Sequence, residues 1–164
     1  MGRKRVGMAR IKSLVNENLN RLNHKRPAFV KGTETVTLTE EQSGQTIIVG
    51  PANGGLGGDA IFTLPAAADG LYFKFTYVGG AADVQDFQIN TGSDTNYLIG
   101  GVFQHDIGGD DGQVFHPNLS SNSRANLLLP DSGTVMEVWC DGTNWFLYGT
   151  LISTENTGVT WADQ

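Results

Sequence analysis

The chain has 164 residues and 22 glycines without a three-residue period, which excludes a collagen-like protein. Its single cysteine excludes an intramolecular disulfide, and no apolar run approaches the length of a membrane span. This length and composition predict one domain with an appendage.

Residues 1–31 form a strongly basic arm. Nine of the eleven Lys and Arg residues lie there with a single acid, Glu17, so the arm carries a charge of +8. Residues 32–164 contain sixteen acids and two cations and carry −14. Because an arm of like charge repels itself and is attracted to acidic surfaces, this separation predicts a body that a partner holds by its N-terminal arm.

The arm contains one amphipathic helix pattern, between Met8 and Leu22. Its apolar residues recur three or four positions apart and therefore share one stripe of a helix. The stripe is narrow and flanked by asparagines of poor helix propensity, so the isolated helix would be marginal in water. Three alternatives stay open: the helix packs on its own body, associates with other copies, or docks on a partner. Membrane insertion is disfavoured because the apolar face lacks Trp and Phe.

Charged and apolar positions of the arm together form the predicted partner-binding set. Nucleic acid is disfavoured as the partner, because a body of charge −14 opposes a polyanion. The predicted residues are Arg3, Lys4, Arg5, Arg10, Ile11, Lys12, Val15, Leu19, Arg21, Leu22, Lys25 and Arg26.

After Pro27 the apolar pattern changes from helical to alternating, which predicts a mainly β body. About ten short β-rich segments separated by turns are typical of an antiparallel β-sandwich, jelly-roll-like fold or barrel. Asp141-Gly142 predicts a tight hairpin turn between the last two segments. The predicted strands are 35–38, 46–49, 60–64, 71–77, 84–90, 97–99, 101–104, 125–129, 135–140 and 145–151. The residues predicted to lie inside are Phe62, Leu64, Phe73, Phe75, Val138 and Leu147.

The sequence offers no set of residues for catalysis or metal binding. His105-Asp106, Asp110-Asp111-Gly112 and His116 match neither zinc nor calcium spacing, and indicate a solvated acidic loop. Cys140 follows Val138 and Trp139 without a nearby histidine, which indicates a strand residue rather than a nucleophile. We therefore expect a protein that is not an enzyme and has no metal or cofactor.

Two segments of the body share a pattern with a known group of proteins. They are 62–73 (FTLPAAADGLYF) and 138–149 (VWCDGTNWFLYG). Both resemble small β-rich virion proteins of tailed bacteriophages, in which a Leu-Pro-Ala-Ala turn leads into a core strand and a Cys/Ser-Asp-Gly-x-x-Trp hairpin closes the sheet. The resemblance covers roughly residues 33–151. It implies either a head decoration (cement) protein or a module of a tail fibre.

The basic arm, which lies outside the resemblance, favours decoration of a capsid. We expect a structural protein of the capsid surface, synthesised in the host cytoplasm, that binds the major capsid protein through its arm and forms a homo-oligomer, a trimer. The alternative is a tail-fibre or receptor/carbohydrate-binding module that uses surface aromatics such as Tyr72, Tyr77, Tyr97 or Trp161. A fibre usually needs a long shaft, and one short helix supplies little of that.

Overall fold

The computed structural model describes residues 7–13, 28–30, 34–51, 54–82, 84–109 and 112–164. These residues form a helical segment at 8–13, a 3₁₀ turn at Glu40–Gln42 and twelve strands in two sheets. The strands are β1 Ala28–Val30, β2 Thr35–Thr37, β3 Thr46–Val49, β4 Ala60–Thr63, β5 Asp69–Tyr77, β6 Phe87–Asn90, β7 Leu98–Asp106, β8 Gln113–Asn118, β9 Arg124–Leu127, β10 Val135–Asp141, β11 Trp145–Ser153 and β12 Val159–Ala162.

Over its first six strands the chain alternates between the two sheets. Strands β1, β3 and β5 lie side by side in one sheet, and β2, β4 and β6 lie side by side in the other. Between two neighbouring strands of one sheet, the chain therefore forms a strand of the other sheet. All four of these neighbouring pairs are parallel, because parallel strands need such a crossover between them.

The second half of the chain completes both sheets. The seven-stranded sheet has the order β1-β3-β5-β10-β11-β7-β8, and the five-stranded sheet has the order β12-β9-β6-β4-β2. Most of the added pairs are antiparallel, but β7 and β11 run parallel over nine residue pairs. The mainly β class is confirmed, in a sandwich-like body. The antiparallel pairing was wrong, since both sheets are mixed, and so was the barrel, since neither sheet closes on itself.

The core lies between the sheets and follows the alternation of each strand. All six residues that were predicted to lie inside are at most 2% exposed, which confirms the predicted phase of their strands. Phe75 of the seven-stranded sheet packs edge to face against Phe62 of the five-stranded sheet, with 5.2 Å between ring centroids. Phe87 lies 5.6 Å from both rings. This aromatic cluster joins the two sheets.

The predicted hairpin between β10 and β11 is confirmed. Gly142 has φ +93°, a left-handed conformation that glycine adopts without strain. The Asp141 carboxylate accepts hydrogen bonds from the backbone N–H groups of Thr143 (2.9 Å) and Asn144 (2.8 Å). The N–H groups of Asn144 and Thr143 hold the pKa of Asp141 below its usual value.

Three strands lie where none was predicted: β1, β8 and β12. Strand β8 contains Pro117, which is tolerated because β8 is an edge strand of the seven-stranded sheet. Strand β7 continues through Gly100 and Gly101, where the sequence predicted a break between two strands.

Replacement of Phe62 by Ala is expected to lower the free energy of unfolding by about 3–5 kcal/mol, because it removes the ring that packs against both Phe75 and Phe87 and leaves a cavity. Guanidinium unfolding followed by circular dichroism measures the change. Phe103→Ala is the matched control: Phe103 is 37% exposed on the outer face, and we expect a loss below about 1 kcal/mol. Equal losses in the two variants would contradict the position of the core.

Candidate binding surface on the seven-stranded sheet

The structure describes only part of the predicted partner-binding arm. Residues 8–13 are helical, and the N–H groups of Arg10 and Ile11 donate to the carbonyl of Gly7 at 2.9 and 3.2 Å. Arg10, Ile11 and Lys12 are exposed in this segment, and their role stays a prediction. The other predicted residues lie outside the described ranges: Arg3, Lys4, Arg5, Val15, Leu19, Arg21, Leu22, Lys25 and Arg26.

A second surface, which the sequence did not predict, lies on the outer face of the seven-stranded sheet. Because side chains alternate along β10 and β11, burial of Val138 and Leu147 turns Trp139, Phe146 and Tyr148 outward. Trp139 stacks on Tyr148 with 5.5 Å between ring centroids and on Phe146 with 6.1 Å. The interplanar angles of 16° and 19° make the three rings nearly parallel.

Polar groups interrupt this aromatic surface at one place. Glu137 lies opposite Lys74 of β5 and Tyr148 of β11 in the strand register, and its Oε1 lies 3.2 Å from the Lys74 Nζ. Burial raises the pKa of the Tyr72 phenol above its usual value, and the negative charge of nearby Glu137 raises it further. The body therefore presents a carboxylate, an ammonium and a phenol beside stacked rings.

A cleft of about 300 Å³ opens over β10 and β11 at this position. Trp139, Tyr148 and Glu137 form part of its wall. The lining residues are Val135, Glu137, Trp139, Tyr148, Gly149 and Thr150. These groups make the outer face of the seven-stranded sheet a candidate binding surface.

Glycines of β7 allow aromatic rings to lie close to the sheet next to this cleft. A Cβ at Gly101 would meet the Phe115 ring at 2.5 Å, and one at Gly100 would meet the Tyr148 ring at 3.0 Å. Phe103 and Phe115 lie opposite each other in β7 and β8, and both are exposed. The apolar surface thus continues from the cleft to the β8 edge.

The surface aromatics predicted for a carbohydrate binder were partly wrong. Tyr77 is buried, and its hydroxyl donates to the carbonyl of Gly80 at 2.9 Å. Tyr72, Tyr97 and Trp161 are half-buried. The alternation that correctly placed Val138 and Leu147 inside also predicts that their neighbours Trp139 and Tyr148 face outward. This signal could have identified Trp139 and Tyr148 as surface aromatics.

Asp106 and His116 lie in strands β7 and β8 rather than in the predicted solvated loop, and both make contacts within the protein. His116 Nε2 lies 2.7 Å from Oε1 of buried Gln104, and burial lowers the pKa of His116. Asp106 accepts a hydrogen bond from the Gly108 N–H at 2.7 Å. Asp110 and Asp111 lie outside the described residues. Across the described ranges, no group of three or more His, Cys, Asp or Glu side chains is arranged to hold a metal ion.

Cys140 is a residue of strand β10. It is buried, and this burial raises the pKa of its thiol. Because the thiolate is the nucleophilic form, the environment of Cys140 does not favour nucleophilic chemistry.

Among the residues described, no helix has the length and apolar character needed to cross a membrane. No protein-family model, curated protein or solved structure matches the chain.

Glu137→Gln is expected to lower the pKa of Tyr72 while leaving it above its usual value, because the negative charge is lost but burial remains. Folding raises this pKa, so the associated stability is present below the unfolded value of about 10 and is lost as the pH rises through the folded value. A ¹³C NMR titration of the tyrosine rings measures the change. Tyr77 serves as the internal control. Burial raises its pKa as well, but its charged neighbour is Asp131 and not Glu137. An unchanged Tyr72 titration would contradict the assigned role of Glu137.

Proposed function

We propose that the protein is a structural virion protein of a tailed bacteriophage, which decorates and stabilises the capsid by binding the major capsid protein through its N-terminal arm. In this role the protein is not an enzyme, and the acidic body projects from the capsid surface. The observation that carries the proposal is a basic arm whose described apolar residues remain exposed beside an acidic body with a core of its own.

The exposed residues of the arm support binding to something other than the body. Met8 and Ile11 begin the apolar stripe, and they are 69% and 43% exposed. The buried core begins at Leu38 in sequence and includes no residue of the described segment 7–13. Of the three alternatives left open by the sequence, packing of this segment on the described body is therefore disfavoured.

Two kinds of interaction would hold the arm on a capsid. Exposed ion pairs with an acidic shell contribute about 0.2–1 kcal/mol each and are screened by salt. Burial of apolar side chains of the stripe contributes about 1.5–3 kcal/mol each and is not screened. Salt should therefore weaken attachment without abolishing it.

Deletion of residues 1–26 is expected to abolish attachment to the capsid and leave the body folded. This deletion keeps β1, which pairs with β3 at the edge of the seven-stranded sheet. Co-sedimentation with stripped capsids measures attachment, and thermal unfolding followed by circular dichroism measures the fold. Wild-type occupancy by the truncated protein would show that the arm is not the anchor.

Two full-length variants separate the apolar and charged contributions of the arm. Ile11→Asp combined with Leu19→Asp should detach the protein at every salt concentration, because the apolar contribution is not screened. The charge variant replaces four cations of the arm by Gln: Arg3, Lys4, Arg5 and Arg10. It should mainly slow association with the capsid and reduce the salt dependence of attachment. Identical salt dependence in the charge variant and the wild type would exclude an electrostatic contribution.

We also propose that the protein acts as a homo-oligomer, a trimer. Several weak arms joined in one assembly engage neighbouring sites on a shell with a higher effective concentration than single arms. Sedimentation of the free protein and of released capsid-bound protein tests this assembly.

The second candidate is a tail-fibre or receptor-binding module, and the observation that favours it is the exposed aromatic surface around Trp139. The two candidates differ in location. Immunogold labelling on the tail rather than on the head of the particle would favour the second candidate.

A further inference from the structure

We propose that the cleft lined by Trp139, Tyr148 and Glu137 binds a neutral saccharide. This inference concerns the body alone and does not depend on where the protein lies in the virion. It names a ligand class for a surface separate from the basic arm.

The lining of the cleft combines aromatic and polar groups. A pyranose ring has apolar C–H faces and hydroxyl groups at its edge, so it needs flat aromatic surfaces next to hydrogen-bonding groups. Trp139 and Tyr148 stack on each other but stay 39% and 47% exposed, and these exposed parts provide the aromatic surface. Glu137 can accept hydrogen bonds from hydroxyl groups, and Lys74, at 3.2 Å from it, can donate them. The volume of about 300 Å³ suits a small ligand such as one or two sugar rings.

Charge selects a neutral ligand. Lys74 is not a lining residue, but its ammonium lies 3.2 Å from the Glu137 carboxylate and compensates that charge, so the pair offers no net attraction to an ion. Residues 32–164 carry −14 in total and would repel an acidic glycan.

The Lys74–Glu137 pair disfavours a protein partner or a second copy of the chain as the ligand. A protein surface that covered the stacked rings would also remove Lys74 and Glu137 from water, at a cost that their mutual attraction need not repay. A sugar can replace the lost water with its own hydroxyl groups. The polar pair beside the stacked rings therefore favours the saccharide.

The position of the cleft favours binding without cleavage. Strands β10 and β11 are paired on both sides within the seven-stranded sheet, so the lining residues stand on a rigid scaffold. Glycoside hydrolysis generally requires two carboxyl groups, and Glu137 is the one carboxylate among the lining residues of the cleft.

The test is binding of neutral oligosaccharides to the full-length protein, screened on a glycan array and measured by isothermal titration calorimetry with lactose, maltose, cellobiose and chitobiose. We expect saturable binding of at least one neutral saccharide and a change in tryptophan fluorescence, because Trp139 is more exposed than buried Trp145 and half-buried Trp161. Sialyllactose should bind more weakly than lactose.

Matched variants locate the binding site. Trp139→Ala and Tyr148→Ala should each weaken the affinity at least about tenfold, as expected for loss of an aromatic anchor. Phe103→Ala removes a similarly exposed ring of the same sheet face outside the cleft and should leave the affinity unchanged. Circular dichroism and thermal unfolding confirm that each variant is folded. Trp139→Ala and Tyr148→Ala test the same cleft independently of each other.

Three results would overturn the proposal. The first is failure of every neutral saccharide to bind, and the second is an equal loss of affinity in Phe103→Ala and Trp139→Ala. The third is conversion of an oligomer to a monomer by Trp139→Ala, which would make this face an interface between copies. None of these results bears on capsid attachment through the arm, which the truncated protein tests separately.

Discussion

The contact of Phe75 with Phe62 and Phe87 is the interaction on which the rest of the body depends. It joins β5 of the seven-stranded sheet to β4 and β6 of the five-stranded sheet through edge-to-face and tilted ring packing. Because the chain alternates between the sheets from β1 to β6, neither sheet can be completed without the other. The cluster therefore fixes which side of each strand is buried, and the alternation of side chains then determines the opposite, outward side.

The outward side of the seven-stranded sheet follows directly from this constraint. With Phe73, Val138 and Leu147 buried, Trp139 and Tyr148 must face solvent together with the Lys74 and Glu137 pair. Exposed aromatic rings on a folded body are a cost unless they contact something, and surfaces of this kind commonly mark binding sites. The body and the arm thus offer two distinct surfaces. One is aromatic with a local charge pair, and the other is the exposed segment 7–13, which combines Arg10 and Lys12 with Met8 and Ile11.

The sequence was sufficient for most of the strands and for the buried faces of the core strands, but not for how the strands pair. Residues such as Leu64 and Val138 were correctly placed because period-two alternation reports burial directly. Alternation carries no information on pairing direction, so the parallel pairs that arise from the crossing chain were missed. Strand β8 was missed because its edge position leaves Val114 and Phe115 exposed on both faces, which removes the alternating signal. The aromatic cleft was missed because it requires the register that brings Glu137 opposite both Lys74 and Tyr148.

The body folds around its own core, and we propose that the arm makes the contact with the virion. Hydrogen–deuterium exchange of the full-length protein, free and bound to stripped capsids, tests this claim most directly. The account predicts that protection on binding increases in peptides preceding β1, while peptides from β5, β10 and β11 exchange at the same rate in both states. Protection that increases across β10 and β11 and not in the arm would contradict it, because the outer sheet face would then be the surface that contacts the capsid.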